Sequence, residues 1–127
     1  MPTIPKSVTL ATLPERTAQE VFDWIVYNLR KQGDRSMQGN GCAYRGRDGL
    51  KCAAGWCIAD DEYTPTLENW RWKELAFQNA KVPVEHACLI QGLQTVHDDV
   101  DAYDSWEDGF DTVASQFNLT YTPPENA

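Results

Sequence analysis

The residues of this chain with metal-binding or nucleophilic chemistry are four cysteines and two histidines: Cys42, Cys52, Cys57, Cys88, His86 and His97. Structural zinc sites usually contain two cysteines separated by two to four residues. Only Cys52 and Cys57, with four residues between them, approach this spacing. Buried free thiols explain these cysteines better than a metal site does, since cysteine is among the most buried residue types. A metal or thiol site built on Cys42, Cys52 and His97 therefore stands as an alternative, and we expect no resident cofactor.

A cysteine nucleophile would need a histidine base that a third group, such as a carboxylate, orients. Cys52 and Cys57 lie near the start of a possible short helix, where the pKa of a thiol can fall. His97 and Asp98 are a candidate base and carboxylate, but adjacent residues on a helix point about 100° apart. Asp98 cannot then orient the His97 ring. We therefore predict no catalytic residue and no enzymatic activity.

Acidic side chains are concentrated between residues 98 and 111, where seven carboxylates fall within fourteen residues. Their order does not match the Asp-x-Asp-x-Asp-Gly pattern of a calcium-binding loop, and no glutamate follows at the required offset. We interpret residues 98–111 as a solvated acidic edge. The residues expected to interact with a basic partner are Asp98, Asp99, Asp101, Asp104, Glu107 and Asp108.

The charge of the whole chain supports this interpretation. Eleven Lys and Arg residues against nineteen Asp and Glu residues give a formal net charge of −8. Residues 1–59 hold eight basic and five acidic side chains, whereas residues 60–127 hold three basic and fourteen acidic ones. A protein surface with this excess of negative charge repels duplex nucleic acid and anionic membrane. We therefore expect neither as a direct partner, and expect instead a protein with a basic surface.

A glycine-rich stretch, residues 39–55, predicts a β-hairpin. A three-residue turn ending at Gly49 would join strands at Cys42–Gly46 and Leu50–Ala54. In this register Tyr44 and Cys52 face the core, because a shift by one residue would turn charged groups inward. The outer face would carry the basic residues Arg45, Arg47 and Lys51. These three would meet either an anionic partner or the acidic edge of the same molecule.

Apolar residues at helical spacing predict a helix at about Thr17–Gln32, where Val21, Phe22, Ile25, Val26 and Leu29 form one stripe. Shorter or later helices are expected at Cys52–Ala59, Leu67–Asn79, Val84–Val100 and Trp106–Phe117. Ser105 followed three residues later by Asp108 resembles a capping box at the start of the last helix.

These elements predict a single compact α+β domain that is mainly helical, with four to five helices and one short β-hairpin. The expected division is an extended N-terminal segment at 1–16, the domain at 17–119 and a flexible tail at 120–127. The chain is long enough to bury a core without disulfides. No stretch has the composition of a membrane span. Residues 1–13 lack the continuous apolar run that a signal peptide requires, so we do not expect one there.

The glycine-rich stretch also resembles a signature of small uncharacterised bacteriophage and prophage proteins. The matching residues are Cys42-Ala43-Tyr44-Arg45, then Asp48-Gly49-Leu50-Lys51-Cys52-Ala53-Ala54-Gly55, and Asp60-Asp61-Glu62-Tyr63. Further similarities are Gln32-Gly33 before this motif, Leu93 to Asp98 after it, and a closing helix from Trp106 to Phe117. Cys57 and the stretch Trp70 to Trp72 depart from the pattern. The resemblance, which covers about 17–119, implies a phage origin and the cytoplasm of an infected bacterium. It provides no activity that can be assigned to residues of this chain.

Together these features predict a small acidic phage accessory protein that binds and inhibits a host protein. A nucleic-acid-binding defence or transcription factor would present the basic surface that the acidic edge requires. Two alternatives remain at this point: the metal or thiol site described above, and a structural component of the virion.

Overall fold

The computed structural model describes residues 5–32, 37–38, 41–42, 44–45, 51–68, 70–78, 82–98 and 106–121, and these residues are mainly helical. They contain four α-helices: α1 at Ala18–Gln32, α2 at Trp72–Gln78, α3 at Ala87–Asp98 and α4 at Trp106–Gln116. Three short 3₁₀ helices lie at Leu13–Glu15, Ala54–Cys57 and Pro65–Leu67. Within these ranges no helix is both long and apolar enough to cross a bilayer.

Helix α1 confirms the longest predicted helix. All five apolar residues of its predicted stripe are buried. The helix begins with a reciprocal cap: the Thr17 backbone N–H donates to the Glu20 carboxylate (2.8 Å), and the Glu20 N–H donates to the Thr17 hydroxyl (3.1 Å). This capping box satisfies two backbone donors that the first turn would otherwise leave unpaired.

Helix α3 lies at the centre of the fold and packs against α1, α2 and α4. Its apolar residues Leu89, Ile90, Leu93 and Val96 are buried. Helix α4 approaches α3 closely because Gly109 has no side chain there. A Cβ atom at Gly109 would lie 2.5 Å from a methyl carbon of Val96. The packing of α4 on α3 therefore depends on glycine at this position.

The predicted α+β class is wrong, and the predicted hairpin is not seen. Among the described residues, the antiparallel pairing is limited to two strands of two residues each, β1 at Met37–Gln38 and β2 at Gly41–Cys42. Residues 54–57, which include the end of the predicted second strand, form a 3₁₀ helix. The predicted turn at 47–49 lies outside the described residues. The described part of the chain belongs to a helical fold.

Side chains from distant helices explain why the predicted strands do not pair. The Gln32 side chain bonds both the N–H and the C=O of Lys51, at 2.8 and 2.7 Å. The Ala54 N–H donates to the Gln94 side chain (3.0 Å). Backbone groups that a β-ladder would need are therefore already satisfied. Gly55 also lies directly against the Tyr44 carbonyl, where a Cβ atom would approach the oxygen to 2.3 Å.

The N-terminal segment contributes to the same core as the helices. Val8, Leu10 and Leu13 are buried in it. The Glu62 carboxylate fastens this segment by accepting hydrogen bonds from the backbone N–H groups of Leu10 (2.8 Å) and Ala11 (3.0 Å). Charge-assisted hydrogen bonds of this kind are stronger than neutral ones. The segment at 8–13 is thus held by both apolar burial and a carboxylate.

Candidate interaction surfaces

Arg45, expected on the outer face of a hairpin, is held by groups of its own chain. Its guanidinium forms an ion pair with Asp60 (2.7 Å) and donates to the Ile58 carbonyl (3.0 Å). It also lies over the Tyr63 ring, 4.9 Å from the ring centre. Of the two roles predicted for Arg45, this arrangement matches the intramolecular one. The described counter-charge of Arg45 is Asp60.

Glu68 organises the backbone beside Arg45. Its carboxylate accepts the backbone N–H groups of Tyr44 (3.0 Å) and Arg45 (3.1 Å), and the Tyr63 hydroxyl (2.7 Å). Burial, and then the hydrogen bond to Glu68, raise the pKa of Tyr63 to about 12. The Tyr44 hydroxyl donates to the Trp70 carbonyl. One carboxylate thus fixes two chain segments that the sequence separates by more than twenty residues.

Lys51 also contacts a side chain of its own chain, Trp56. Its ammonium group lies 4.5 Å from the centre of the Trp56 ring, a cation–π contact. Burial lowers the pKa of Lys51, the charge of Arg45 lowers it further, and Asp60 acts in the opposite direction. Lys51 and Arg45 are both partly buried. Arg47, the third basic residue predicted for this face, lies outside the described residues.

Glu107, predicted as part of the solvated acidic edge, is paired instead. Its carboxylate forms a bidentate ion pair with the Arg30 guanidinium, at 2.7 and 3.1 Å. It also accepts the Tyr121 hydroxyl, and Arg30 lies over the Tyr121 ring. Burial raises the pKa of Glu107, but the hydrogen bonds from Arg30 and Tyr121 outweigh burial, and the net pKa is lowered. Glu107 therefore joins α4 to α1.

The other members of the acidic edge are placed only in part. Asp108 is exposed in the first turn of α4, and Asp111 is exposed one turn later. Asp98 is the last residue of α3, and its side chain is not described. Asp99, Asp101 and Asp104 lie outside the described residues. The described exposed carboxylates of the acidic edge are thus those of Asp108 and Asp111.

The described metal and thiol candidates form no cluster of three possible ligands. Cys52 and His97 are both buried. No group of three possible metal ligands occurs among the residues that the structure describes. The Cys42 side chain is outside them. Burial strongly raises the pKa of the Cys57 thiol, which disfavours the thiolate that a nucleophile requires.

Several residues that organise this structure were not identified from the sequence. The Arg30–Glu107 pair spans 77 residues and leaves no local signal. Glu62 and Glu68 accept backbone hydrogen bonds at sites that only the tertiary fold defines. The Thr17–Glu20 cap, by contrast, has the recognisable spacing of a capping box.

Comparison of the chain with protein families, curated proteins and solved structures gave no match. The geometry of the described residues is therefore the basis for any functional conclusion. That geometry shows the described basic groups of the glycine-rich stretch, Arg45 and Lys51, held by internal contacts. It leaves two exposed carboxylates, Asp108 and Asp111, on α4.

Proposed function

We propose that this protein is a small acidic phage accessory protein that binds and inhibits a host protein through a basic surface of that protein. The observation that supports the proposal best is the exposure of Asp108 and Asp111 on α4, next to a Glu107 that is already paired with Arg30. The exposed pair gives a partner a negatively charged helix face, while Glu107 holds that helix in place.

The distribution of the basic residues also supports the proposal. The ion pairs among the described residues are Lys6–Glu20, Arg30–Glu107 and Arg45–Asp60. Each takes a cation from the basic half of the chain. Asp108 and Asp111 are exposed on α4, in a chain whose formal net charge is −8. A surface of one sign attracts a partner of the other sign and raises the rate of association.

The kind of host protein follows from this charge. Proteins that bind nucleic acid carry clustered lysine and arginine side chains that contact phosphates. A negatively charged helix face competes for the same side chains. We therefore propose a nucleic-acid-binding defence or transcription factor as the target, in the cytoplasm of the infected bacterium. The phage origin rests on the resemblance of residues 42–63 to the phage signature.

A capture experiment with matched variants tests the proposal. The test variant D108N/D111N removes two exposed charges from α4, and the control variant E15Q/D61N removes two exposed charges outside it. Each tagged protein is incubated with lysate of a bacterial host, and the captured proteins are quantified against the wild type. We expect D108N/D111N to lose a basic, nucleic-acid-binding partner that E15Q/D61N retains.

Three outcomes would contradict the proposal. Equal loss in both variants would mean that only net charge matters. Equal retention in both would mean that α4 is not the binding face. Capture of partners with no basic surface would contradict the charge argument itself. Melting temperatures close to that of the wild type are required of both variants, so that a loss of capture reports the removed charges and not unfolding.

A further inference from the structure

Helix α2 has an exposed side that carries both apolar and charged side chains. The large apolar side chains that are exposed among the described residues are Trp70 (47%), Phe77 (71%) and Val84 (53%). Trp70 lies just before α2 and Phe77 lies in its last turn. Between them, Lys73 and Glu74 are also exposed. We refer to Trp70, Lys73, Glu74 and Phe77 as the α2 face.

The opposite side of α2 is buried in the core. Trp72, Leu75 and Ala76 are buried, and α2 packs against α3. The Gln91 side chain accepts the Lys73 backbone N–H (3.3 Å), which fixes α2 on α3. Lys73, Glu74 and Phe77 therefore lie on the exposed side of a helix that α3 holds in place, and Trp70 is exposed just before that helix. The exposure of two aromatic side chains to water is unfavourable, and a bound partner would remove this exposure.

The order of residues on the α2 face is self-complementary. Lys73 and Glu74 are the two middle residues of this set. Trp70 lies three residues before Lys73, and Phe77 lies three residues after Glu74. The two inner charges have opposite signs. A two-fold axis through the midpoint between them would set Lys73 of one copy beside Glu74 of the other, and the reverse. It would also set Trp70 of each copy beside Phe77 of the other.

We propose that the occupant of the α2 face is a second copy of this chain, packed with its own α2 antiparallel to the first. A parallel arrangement would oppose lysine to lysine and glutamate to glutamate, which is unfavourable. The antiparallel arrangement forms two ion pairs and two aromatic contacts at once. Edge-to-face and offset contacts between aromatic rings add stability beyond the burial of apolar area.

The charges of the α2 face are available for this pairing. The Lys73 ammonium group makes no ion pair with any described residue. Glu74 uses one oxygen to accept the Arg71 backbone N–H (3.1 Å), so its second oxygen can receive Lys73 of the other copy. Two copies of net charge −8 repel one another at long range, and the contact is confined to one short helix. We therefore expect a weak dimer, formed at high protein concentration.

The inference is independent of the proposed function, since α2 and the exposed carboxylates of α4 are different surfaces. Its test is a charge-reversal series in analytical ultracentrifugation, from about 5 µM to about 1 mM protein, the range of weak complexes. The single variants K73E and E74K each oppose like charges in a homodimer. Each should raise the dissociation constant by at least about tenfold, because like charges facing each other across an interface are strongly unfavourable.

The decisive sample is an equimolar mixture of K73E and E74K. In the antiparallel pair, the two acidic groups of the first variant face the two basic groups of the second, so the mixture should dimerise although each variant alone does not. Recovery in the mixture also shows that both variants are folded. F77S should reduce dimerisation, whereas V84S, which removes an exposed apolar side chain outside α2, should leave it unchanged.

Each remaining outcome would overturn the inference. A wild type that stays monomeric over the whole range has no second copy on the α2 face. A dimer that resists K73E, E74K and F77S forms through another surface. A mixture that remains monomeric excludes the two-fold arrangement. Retention of a different protein by the α2 face of a monomeric chain would replace the second copy with another occupant.

Discussion

Arg30 and Glu107, which lie 77 residues apart in the chain, form a bidentate ion pair that joins α1 to α4. Tyr121 completes the arrangement, since its hydroxyl donates to Glu107 and its ring lies beneath Arg30. A carboxylate that the sequence groups with an acidic edge is thus part of the framework. Glu107 therefore holds the fold together, whereas Asp108 and Asp111 are exposed and can contact a partner.

Replacing Glu107 should destabilise the fold. E107Q removes the charge that pairs with Arg30, and both side chains are about one-third exposed, so solvent screens the pair. We expect a loss of about 1 kcal/mol in the free energy of unfolding, near the upper end for partly exposed pairs. Urea denaturation at pH 7 measures it. The control D111N, which changes an exposed carboxylate of the same helix, should alter stability by less than about 0.5 kcal/mol.

The contribution of Glu107 should also depend on pH. The pKa of this carboxyl is lowered in the folded protein from an ordinary value of 4.5. A lowered pKa stabilises the fold at pH values above the unfolded-state pKa, and this stabilisation is lost as the pH falls through the folded-state pKa. The stability difference between wild type and E107Q should therefore shrink below pH 4.5. A difference that stays constant down to pH 2.5, about two units lower, would mean that the Glu107 charge is not its source.

Two glycines should respond to alanine in opposite directions. G55A would place a Cβ atom 2.3 Å from the Tyr44 carbonyl oxygen, so backbone must move, at a typical cost of about 1–3 kcal/mol. At Gly92, within α3, the nearest atom to a new Cβ is 3.8 Å away, an ordinary contact. G92A should stabilise α3 by up to about 1 kcal/mol. Thermal unfolding of both variants checks this, and destabilisation of similar size in both would be contrary to the described packing.

Removing the Glu68 carboxylate should be costly. E68A leaves the backbone N–H groups of Tyr44 and Arg45 without their acceptor, together with the Tyr63 hydroxyl. An unsatisfied buried donor costs about 1–3 kcal/mol, so we expect a loss of at least about 2 kcal/mol. E15A changes an exposed glutamate and should cost less than about 0.5 kcal/mol. Equal melting temperatures for E68A and E15A would refute this role of Glu68.

The Cys57 thiol should be inert in the folded protein. Burial raises its pKa, so little thiolate forms at neutral pH, and thiol reagents cannot reach it. C57S should therefore leave the rapidly labelled thiols unchanged and lower the total by one only after unfolding. If C57S has one rapidly labelled thiol fewer than the wild type, Cys57 is reactive and a thiol site is supported. Stoichiometric zinc in the purified protein would favour Cys42, Cys52 and His97 as ligands.

The helices and the burial of Tyr44 and Cys52 could be predicted from the sequence, and the backbone conformation of the glycine-rich stretch could not. Apolar spacing locates α1 because the burial of one stripe depends mainly on local periodicity. The hairpin prediction failed because Gln32, Gln94 and Glu68, all outside the stretch, take up its backbone groups. No local pattern reveals such partners.

The acidic edge shows the same limit. Its residues are adjacent in sequence, so the sequence treats them as one surface. The fold assigns Glu107 to Arg30 and leaves Asp108 exposed, a division set by the position of a helix far away in the chain. Charge composition predicts the sign of a partner's surface, whereas tertiary contacts decide which carboxylates can reach that surface.

The most direct test of binding through the exposed carboxylates of α4 is the rate of association with the captured host protein, measured by stopped flow at increasing ionic strength. Attraction between exposed charges is screened beyond about 8 Å at physiological salt, so it acts mainly on this rate. We expect the wild-type rate to fall steeply with salt, and the D108N/D111N rate to be lower by up to about tenfold, with a shallower dependence on salt. A wild-type rate that does not change with salt, or a variant rate equal to that of the wild type, would contradict the account.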